Sequence, residues 1–371
     1  MHRRGVAEVT IGVAVSAYGL VSLAARLPAG ALYRTNRAWS LIAGGCLVSS
    51  ASFAAMTQTA NPALLTMCVA LDGAGFAVAT TANMAALIDR RPPGSNAGTI
   101  MGWYTGSLGA GYAVAGFAGG ALGDALDPRR AILVLALVPL AAGLLLSLAI
   151  RRAAPTRTAA AVPSPVSWLH GFRRVAPLVW LAFFVTLYIN LVSGVMLTFF
   201  PIYGLAIGLS LTQIGALQGV HGAAAAVVRF LSGLVFGRVS YQRTLPVMVL
   251  VSGASVALIA GLQAYLVLVF AWAALGLTRG LLRVASAALV MDEAGESDAL
   301  RGASSGIYLA GLDLGKVLGP ILGGVGGHVI GLRSTFFLAS IGFPVLYFVL
   351  AALLGSQQRQ LRSLHSADGA Q

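Results

Sequence analysis

Seven polar side chains sit where water does not reach by default. Asp72, Asn190, His221, Arg279, Arg283, Asp313 and Lys316 each fall inside an otherwise apolar stretch. A charge held in hydrocarbon costs about 2.5–3.5 kcal/mol or more, so such groups face a cavity or a partner. Spacing sorts them. Arg279 and Arg283 are four apart and share one helix face. Two guanidinium groups on one wall suit an anionic ligand or a carboxylate partner. Asp313 and Lys316, three apart, can pair within their own helix or exchange partners across an interface. Asp72 is a proton carrier or one half of a structural charge pair. Asn190 is a candidate cavity group. His221 is read first as a packing histidine and second as a titratable one. Trp103, Tyr104 and Tyr308 either line a cavity or pack.

The elements that must position these groups are membrane helices. The chain is 58% hydrophobic and only 9% charged, where soluble domains carry about 25% charge. A soluble molecule this apolar would expose large adhesive patches. Eleven apolar runs are each long enough to cross a hydrocarbon core: 6–25, 38–57, 62–88, 99–122, 130–150, 176–200, 210–236, 245–262, 265–291, 302–326 and 334–355. They are continuously apolar instead of alternating, which predicts helices and not barrel strands. The 46 glycines belong inside those helices, where small residues let backbones approach. Cys46 and Cys68 lie within apolar runs and read as buried free thiols.

The net charge of +13 is not spread as a nucleic-acid surface would require. Arginines alternate between loops, fifteen on one side and five on the other. Short basic loops stay cytoplasmic, which puts the end after Gly355 in the cytoplasm. With an odd number of spans the N-terminus is then outside, at odds with the basic "MHRRG". No removable signal peptide is expected. The near-absence of lysine, Lys316 against 23 arginines, suggests a GC-rich bacterial source.

Residues 151–175 are rich in Pro, Arg, Ser and Thr and read as a cytoplasmic linker. It divides residues 1–150, a first bundle, from 176–355, a second, with a tail at 356–371. The two halves repeat one another. "GTIMGWYTGSLGAGYAVAGFAGGALGD" at 98–124 aligns without a gap with "GASSGIYLAGLDLGKVLGPILGGVGGH" at 302–328, at an offset of 204. The matches include Gly111 with Gly315 and Gly119 with Gly323. "RLPAGALYR" at 26–34 aligns with "RFLSGLVFG" at 229–237, and "DGAG" at 72–75 with "RGLL" at 279–282. Parallel repeats about an axis along the membrane normal are a transporter plan. The same ruler puts the partner of the second copy's first helix just before Met1. The chain therefore reads as a twelve-helix plan lacking its first helix.

These features resemble the major facilitator superfamily of secondary transporters. The family's loop signature, G-x-x-x-D-R-x-x-R/K, is matched here at Arg34 and Arg37, with Tyr33 in place of the acid and Gly30 one position closer than the signature glycine. The second copy keeps Gly233, Arg238 and Arg243. A Gly-Pro-x-x-Gly-Gly pattern that the family associates with antiporters when in helix 5 stands here at Gly319–Gly324, in helix 11 of the twelve-helix plan. Its first-half counterpart, Ala115–Gly120, lacks the proline. The resemblance implies two six-helix bundles, gating roles for both loops and a central cavity. On that plan Asp72 and Arg279 would face each other across the cavity. Arg26, at the end of a helix broken by Pro28, would meet anionic lipid or neighbouring helix ends.

The sequence holds no H-E-x-x-H, nucleophile elbow, Walker loop or metal-ligand cluster. No enzyme, cofactor, metal or nucleic acid is therefore expected. The reading is a monomeric, multi-pass protein of the cytoplasmic membrane that moves a small solute by alternating access, coupled to protons and directed towards efflux. A non-transporting receptor or assembly protein, an uptake permease and a channel are the alternatives.

Overall fold

The computed structural model describes residues 7–89, 97–152, 177–236, 241–293 and 298–368. Eleven α-helices account for nearly all of them: α1 Glu8–Leu32, α2 Ala38–Met56, α3 Pro62–Asp89, α4 Ala97–Ala125, α5 Pro128–Arg152, α6 Pro177–Ala206, α7 Leu211–Phe236, α8 Tyr241–Gly261, α9 Tyr265–Glu293, α10 Asp298–Ile330 and α11 Leu332–Asp368. The described residues contain no strand. Nine of these helices are long and apolar enough to cross a membrane. The other two, α4 and α10, are the glycine-rich repeat pair. Most of the linker read at 151–175, and Arg238, lie outside the described residues.

Helix ends follow ordinary capping chemistry. The Asn61 carboxamide oxygen accepts from Ala63 N at 2.9 Å, with Pro62 at the first helical position of α3. Asp127 does the same for α5 through Arg129 N and Arg130 N. Ser210 and Gln213 exchange backbone and side-chain bonds of 2.9 and 3.1 Å, a reciprocal capping box for α7. Gly208 and Gly331, at φ of 88° and 82°, supply the left-handed residues that end α6 and α10. The expected break at "RLPAG" is not where α1 stops. The helix continues through Pro28 to Leu32 and turns at Thr35–Arg37 before α2.

Within the first half α3 packs on α1 and α2, and α2 packs on α5. Within the second, α6 lies against α9, α10 and α11, while α9 also meets α7 and α8. Two seams join the halves, α1 on α10 and α4 on α7. Both are built from small residues. A Cβ placed on Gly116 of α4 would lie 2.5 Å from Gly219 N and 2.8 Å from Gly215 O of α7. A Cβ on Gly324 of α10 would lie 2.7 Å from Glu8 O of α1, and Gly12 abuts Pro320 O. Ser16 Oγ donates to Val317 O at 2.7 Å across that second seam. At the far end of the first seam, the Asp124 carboxylate on α4 accepts Leu211 N and Thr212 N, at 3.2 and 2.7 Å. A carboxylate at a helix N-terminus satisfies orphan donors and complements the helix dipole.

The halves differ in what covers the repeat-equivalent faces. In α10, Cβ atoms on Gly315 and Gly323 would meet Leu187 O at 2.5 Å and the Phe199 ring at 2.8 Å, both on α6. Their partners in α4, Gly111 and Gly119, have nothing within 4 Å. That open face borders a groove of about 540 Å³ among α1–α5, lined by Tyr18, Asp72, Phe76, Tyr104, Tyr112 and Pro139 among others.

This contrast predicts opposite signs for one substitution. Gly116→Ala puts a methyl into the α7 backbone and should cost about 1–3 kcal/mol, seen as a lower thermal midpoint of the detergent-solubilised chain. Gly111→Ala meets open space, so the greater helix propensity of alanine, about 1 kcal/mol, should leave that midpoint unchanged or raised.

Candidate functional site

Basic side chains from four helices converge between the halves. Arg279, in the middle of α9, points an amino group at His221 Nε2 of α7, 3.1 Å away. Arginine has donors only, so Nε2 must accept and the imidazole carries its proton on Nδ1. The far side of the ring is fixed by Trp272, edge-on at 5.5 Å and 89°. Trp272 is itself fully buried and sits 4.8 Å from Phe200 of α6. Beneath this pair, His221 O is in contact with Gly276 of α9, which lets α7 and α9 approach closely. His221 is thus a packing group, as expected, and it is also the acceptor that orients Arg279. Arg279 Nε is buried without a hydrogen bond.

Arg283 lies one turn further along α9, and Tyr308 of α10 donates to its carbonyl at 3.3 Å. Arg229 of α7 is only 5% exposed and donates across the α4–α7 seam to Thr105 O at 3.0 Å. The charges of Arg229, Arg279 and Arg283 are close enough to act on one another. Lys316 pairs with Asp313 at 3.7 Å along α10, the expected i,i+3 contact. Its ammonium also lies within range of Arg26, Arg279 and Arg283. Arg26 of α1 turns its buried Nε inwards, not towards lipid. Among the described residues, Arg229 and Lys316 thus each lie within charge range of Arg279 and Arg283, Arg26 lies within range of Lys316, and Asp313 is the carboxylate that pairs with Lys316.

Two expectations are corrected. Asp72 and Arg279 do not pair. Asp72 lies in the groove of the first half beside Ser49, whose hydroxyl is 3.5 Å from its backbone oxygen, while Arg279 is turned to His221. Tyr112 of α4 lines the same groove as Asp72 and lies within charge range of Tyr18, Arg229 and Arg279. Asn190 does not open to a cavity. It is 2% exposed, returns its amide to Thr186 O at 2.8 Å, and packs on Gly315 in the α6–α10 seam. Arg229 was missed, although the repeat carries a signal for it. It is the partner of Arg26 in "RFLSG" and "RLPAG", and both copies turn inward.

Of the loop residues, Arg34 and Arg37 are exposed at the α1–α2 turn, with Arg34 donating to Tyr33 O at 3.0 Å and Ser40 to Arg37 O at 2.8 Å. Gly30 closes α1 and Gly233 lies near the end of α7. Arg243 lies in the first turn of α8, with its side chain outside the described residues.

The Major Facilitator Superfamily model matches residues 1–297 and 206–369 of this sequence. The chain belongs to that superfamily. Solved structures of transporters share its fold. A bacterial homologue of the human lysosomal transporter Spinster, inward-facing and unoccupied, superposes with a TM-score of 0.74 at 16% identity, covering 94% of this chain and 89% of that one. The nucleoside transporter NupG superposes at 0.76 with 13% identity, over 94% and 90%. The human organic anion transporter MFSD10 superposes at 0.59 with 18% identity, over 92% and 83%. No curated protein sequence matches significantly. In this family member Pro320 and Gly324 of the α10 pattern seat α1 while Gly319 and Gly323 face α6, and in the α4 counterpart Gly116 and Gly120 seat α7.

The His221–Arg279 bond yields a graded prediction. His221→Phe removes the acceptor and leaves a buried guanidinium unsatisfied, which should cost about 1–3 kcal/mol of stability. His221→Gln keeps an acceptor and should cost less. Thermal unfolding of both purified variants checks the order.

Proposed function

We propose that the chain is a secondary active transporter that moves a small solute across the cytoplasmic membrane by alternating access, coupled to protons and directed towards efflux. The observation that carries this is the pair of small-residue seams, α1 on α10 and α4 on α7, flanking a charged interior. The internal repeat relates one seam to the other, so the halves can rock about both and open the interior to each side in turn. The family membership and the transporter fold support the same reading. The direction rests on the antiporter-like pattern at Gly319–Gly324.

Asp72 is the proton carrier in this proposal. It is an acid within a membrane helix that lines the groove of the first half together with Tyr18 and Tyr112, and Tyr112 is within charge range of Arg279. The Asp313–Lys316 pair exchanges partners as the seam between α1 and α10 shifts. The turn with Gly30, Arg34 and Arg37 and its repeat with Gly233, Arg238 and Arg243 act as gates. The excess of arginines on that side supports a cytoplasmic location for the linker read at 151–175 and the tail at 356–371. The protein works as a monomer, and its partners are solute, protons and lipid.

Proteoliposomes holding the full chain and an interior pH dye, offered carboxylates, phosphates, nucleosides and sugars, test the reading. Solute-evoked proton movement is expected. Asp72→Asn should abolish that proton signal while solute counterflow persists. An Asp72→Asn signal equal to the parent's would remove the proton role.

A further inference from the structure

Among the described residues, the interior between the seams carries more positive than negative charge. Arg229 comes from α7, Arg279 and Arg283 from α9, Lys316 from α10 and Arg26 from α1; Arg279 and Arg283 lie within charge range of both Arg229 and Lys316, and Arg26 within range of Lys316. Asp313, 3.7 Å from Lys316, is the acid among them. Asp72 stands apart in the groove of the first half. Buried charges of one sign repel in a low dielectric, and leaving one unpaired is strongly destabilising. A fold that kept the cluster only for packing would do better with apolar side chains.

The geometry also leaves donors for a ligand. Arg279 spends one amino group on His221, and its Nε is buried without a hydrogen bond. Arg26 Nε is in the same condition. Arg279 and Arg283 project from successive turns of one helix, a spacing that suits the several oxygens of a carboxylate or phosphate. His221 and Trp272 fix the Arg279 head from behind, so it is preorganised. The cluster is also graded in depth. Arg279 and Lys316 lie mid-helix, while Arg229, Arg283 and Arg26 lie closer to the ends of α7, α9 and α1 that face the 153–176 side. A positive funnel of this kind draws anions in from that side.

We propose that Arg229, Arg279, Arg283 and Lys316 together bind the anionic group, a carboxylate or a phosphate, of the transported solute. This rests on the transporter reading above and specifies its substrate class. Asp313 tempers Lys316 in the empty site. Arrival of the anion offsets these like charges, lowers the repulsion between α7, α9 and α10, and lets the halves close around it.

Trp272 is a built-in reporter, since its ring contacts His221, which contacts Arg279. The full chain in lipid nanodiscs is titrated with inorganic phosphate, with succinate and with uncharged glycerol, following tryptophan emission. Concentrations run to about 10 mM, an order above the usual range of substrate constants. The expected result is a saturable response to phosphate or succinate and none to glycerol, and whichever anion responds identifies the group. The response should disappear in Trp272→Phe. It should weaken at least about tenfold in Arg279→Gln and in Arg283→Gln, and less in Arg279→Lys, which keeps the charge; a tenfold loss corresponds to about 1.4 kcal/mol. Size-exclusion profiles show which variants remain folded, and raised chloride should weaken the parent's response by competition if cations hold the anion.

No response to either anion, an equal response to glycerol, or a response that survives Trp272→Phe or both glutamine variants would overturn the proposal. The two readings fail separately. Proteoliposome flux of uncharged solutes that ignores these anions would leave the transporter standing without its anion site. Anion binding without any flux would leave the site standing without the transporter.

Discussion

Backbone approaching backbone across a seam is the constraint on which the rest of the structure depends. In lipid there is little hydrophobic drive between helices, so association relies on close packing. Here Gly116, Gly215, Gly219 and Gly120 bring α4 and α7 together, and Gly12, Gly324 and Pro320 do the same for α1 and α10. Any side chain larger than hydrogen at Gly116 would collide with main chain, which cannot swing aside as a rotamer can. These contacts consist of van der Waals packing with few hydrogen bonds, Ser16 to Val317 and Asp124 to the start of α7 among them. Seams of this kind can slide or tilt without breaking a network, which is what a pair of rocking halves requires.

The seams also explain where the charges can be. Arg229 lies on α7 and reaches α4 through Thr105 O, so the seam that joins the halves also anchors one cation of the interior. Arg279 is held by His221 across the α7–α9 contact, where Gly276 allows the approach. Small residues thus do two things: they set the distance between helices and they leave room for long basic side chains to gather. The second half supplies four of these cations and a packed aromatic core around Phe199, Phe200 and Trp272. The first half supplies Arg26, Asp72 and an open groove. The face of α4 bearing Gly111 and Gly119 is bare where its repeat in α10 is covered by α6.

The helices were legible in the sequence because apolar length and glycine content are one-dimensional signals. The repeat was legible too, and it correctly paired α4 with α10 as equivalent elements. Rotation of each helix about its axis was not. A helix that is apolar nearly all round carries little amphipathic information, so nothing in the sequence says which face looks inward. Asn190 illustrates this. Its polar amide suggested a cavity, yet the carbonyl of Thr186 one turn back satisfies it inside a seam. Asp72 and Arg279 occupy near-equivalent positions in the repeat, but that does not make them opposite each other in space. Arg229 was hidden by its place near a helix end, where arginine usually serves as an interfacial anchor.

The central claim is that the two halves move relative to one another about the α1–α10 and α4–α7 seams. The turns 57–61 and 262–264 lie at the same end of the two halves, and Ala60 and Gln263 are exposed there. A pulsed electron-paramagnetic-resonance distance between spin labels at Ala60→Cys and Gln263→Cys, with Cys46 and Cys68 replaced by alanine, reports that motion directly. The account predicts two distance populations whose ratio shifts between pH 5 and pH 8 and on addition of a bound anion. A single distance unchanged by either would contradict it.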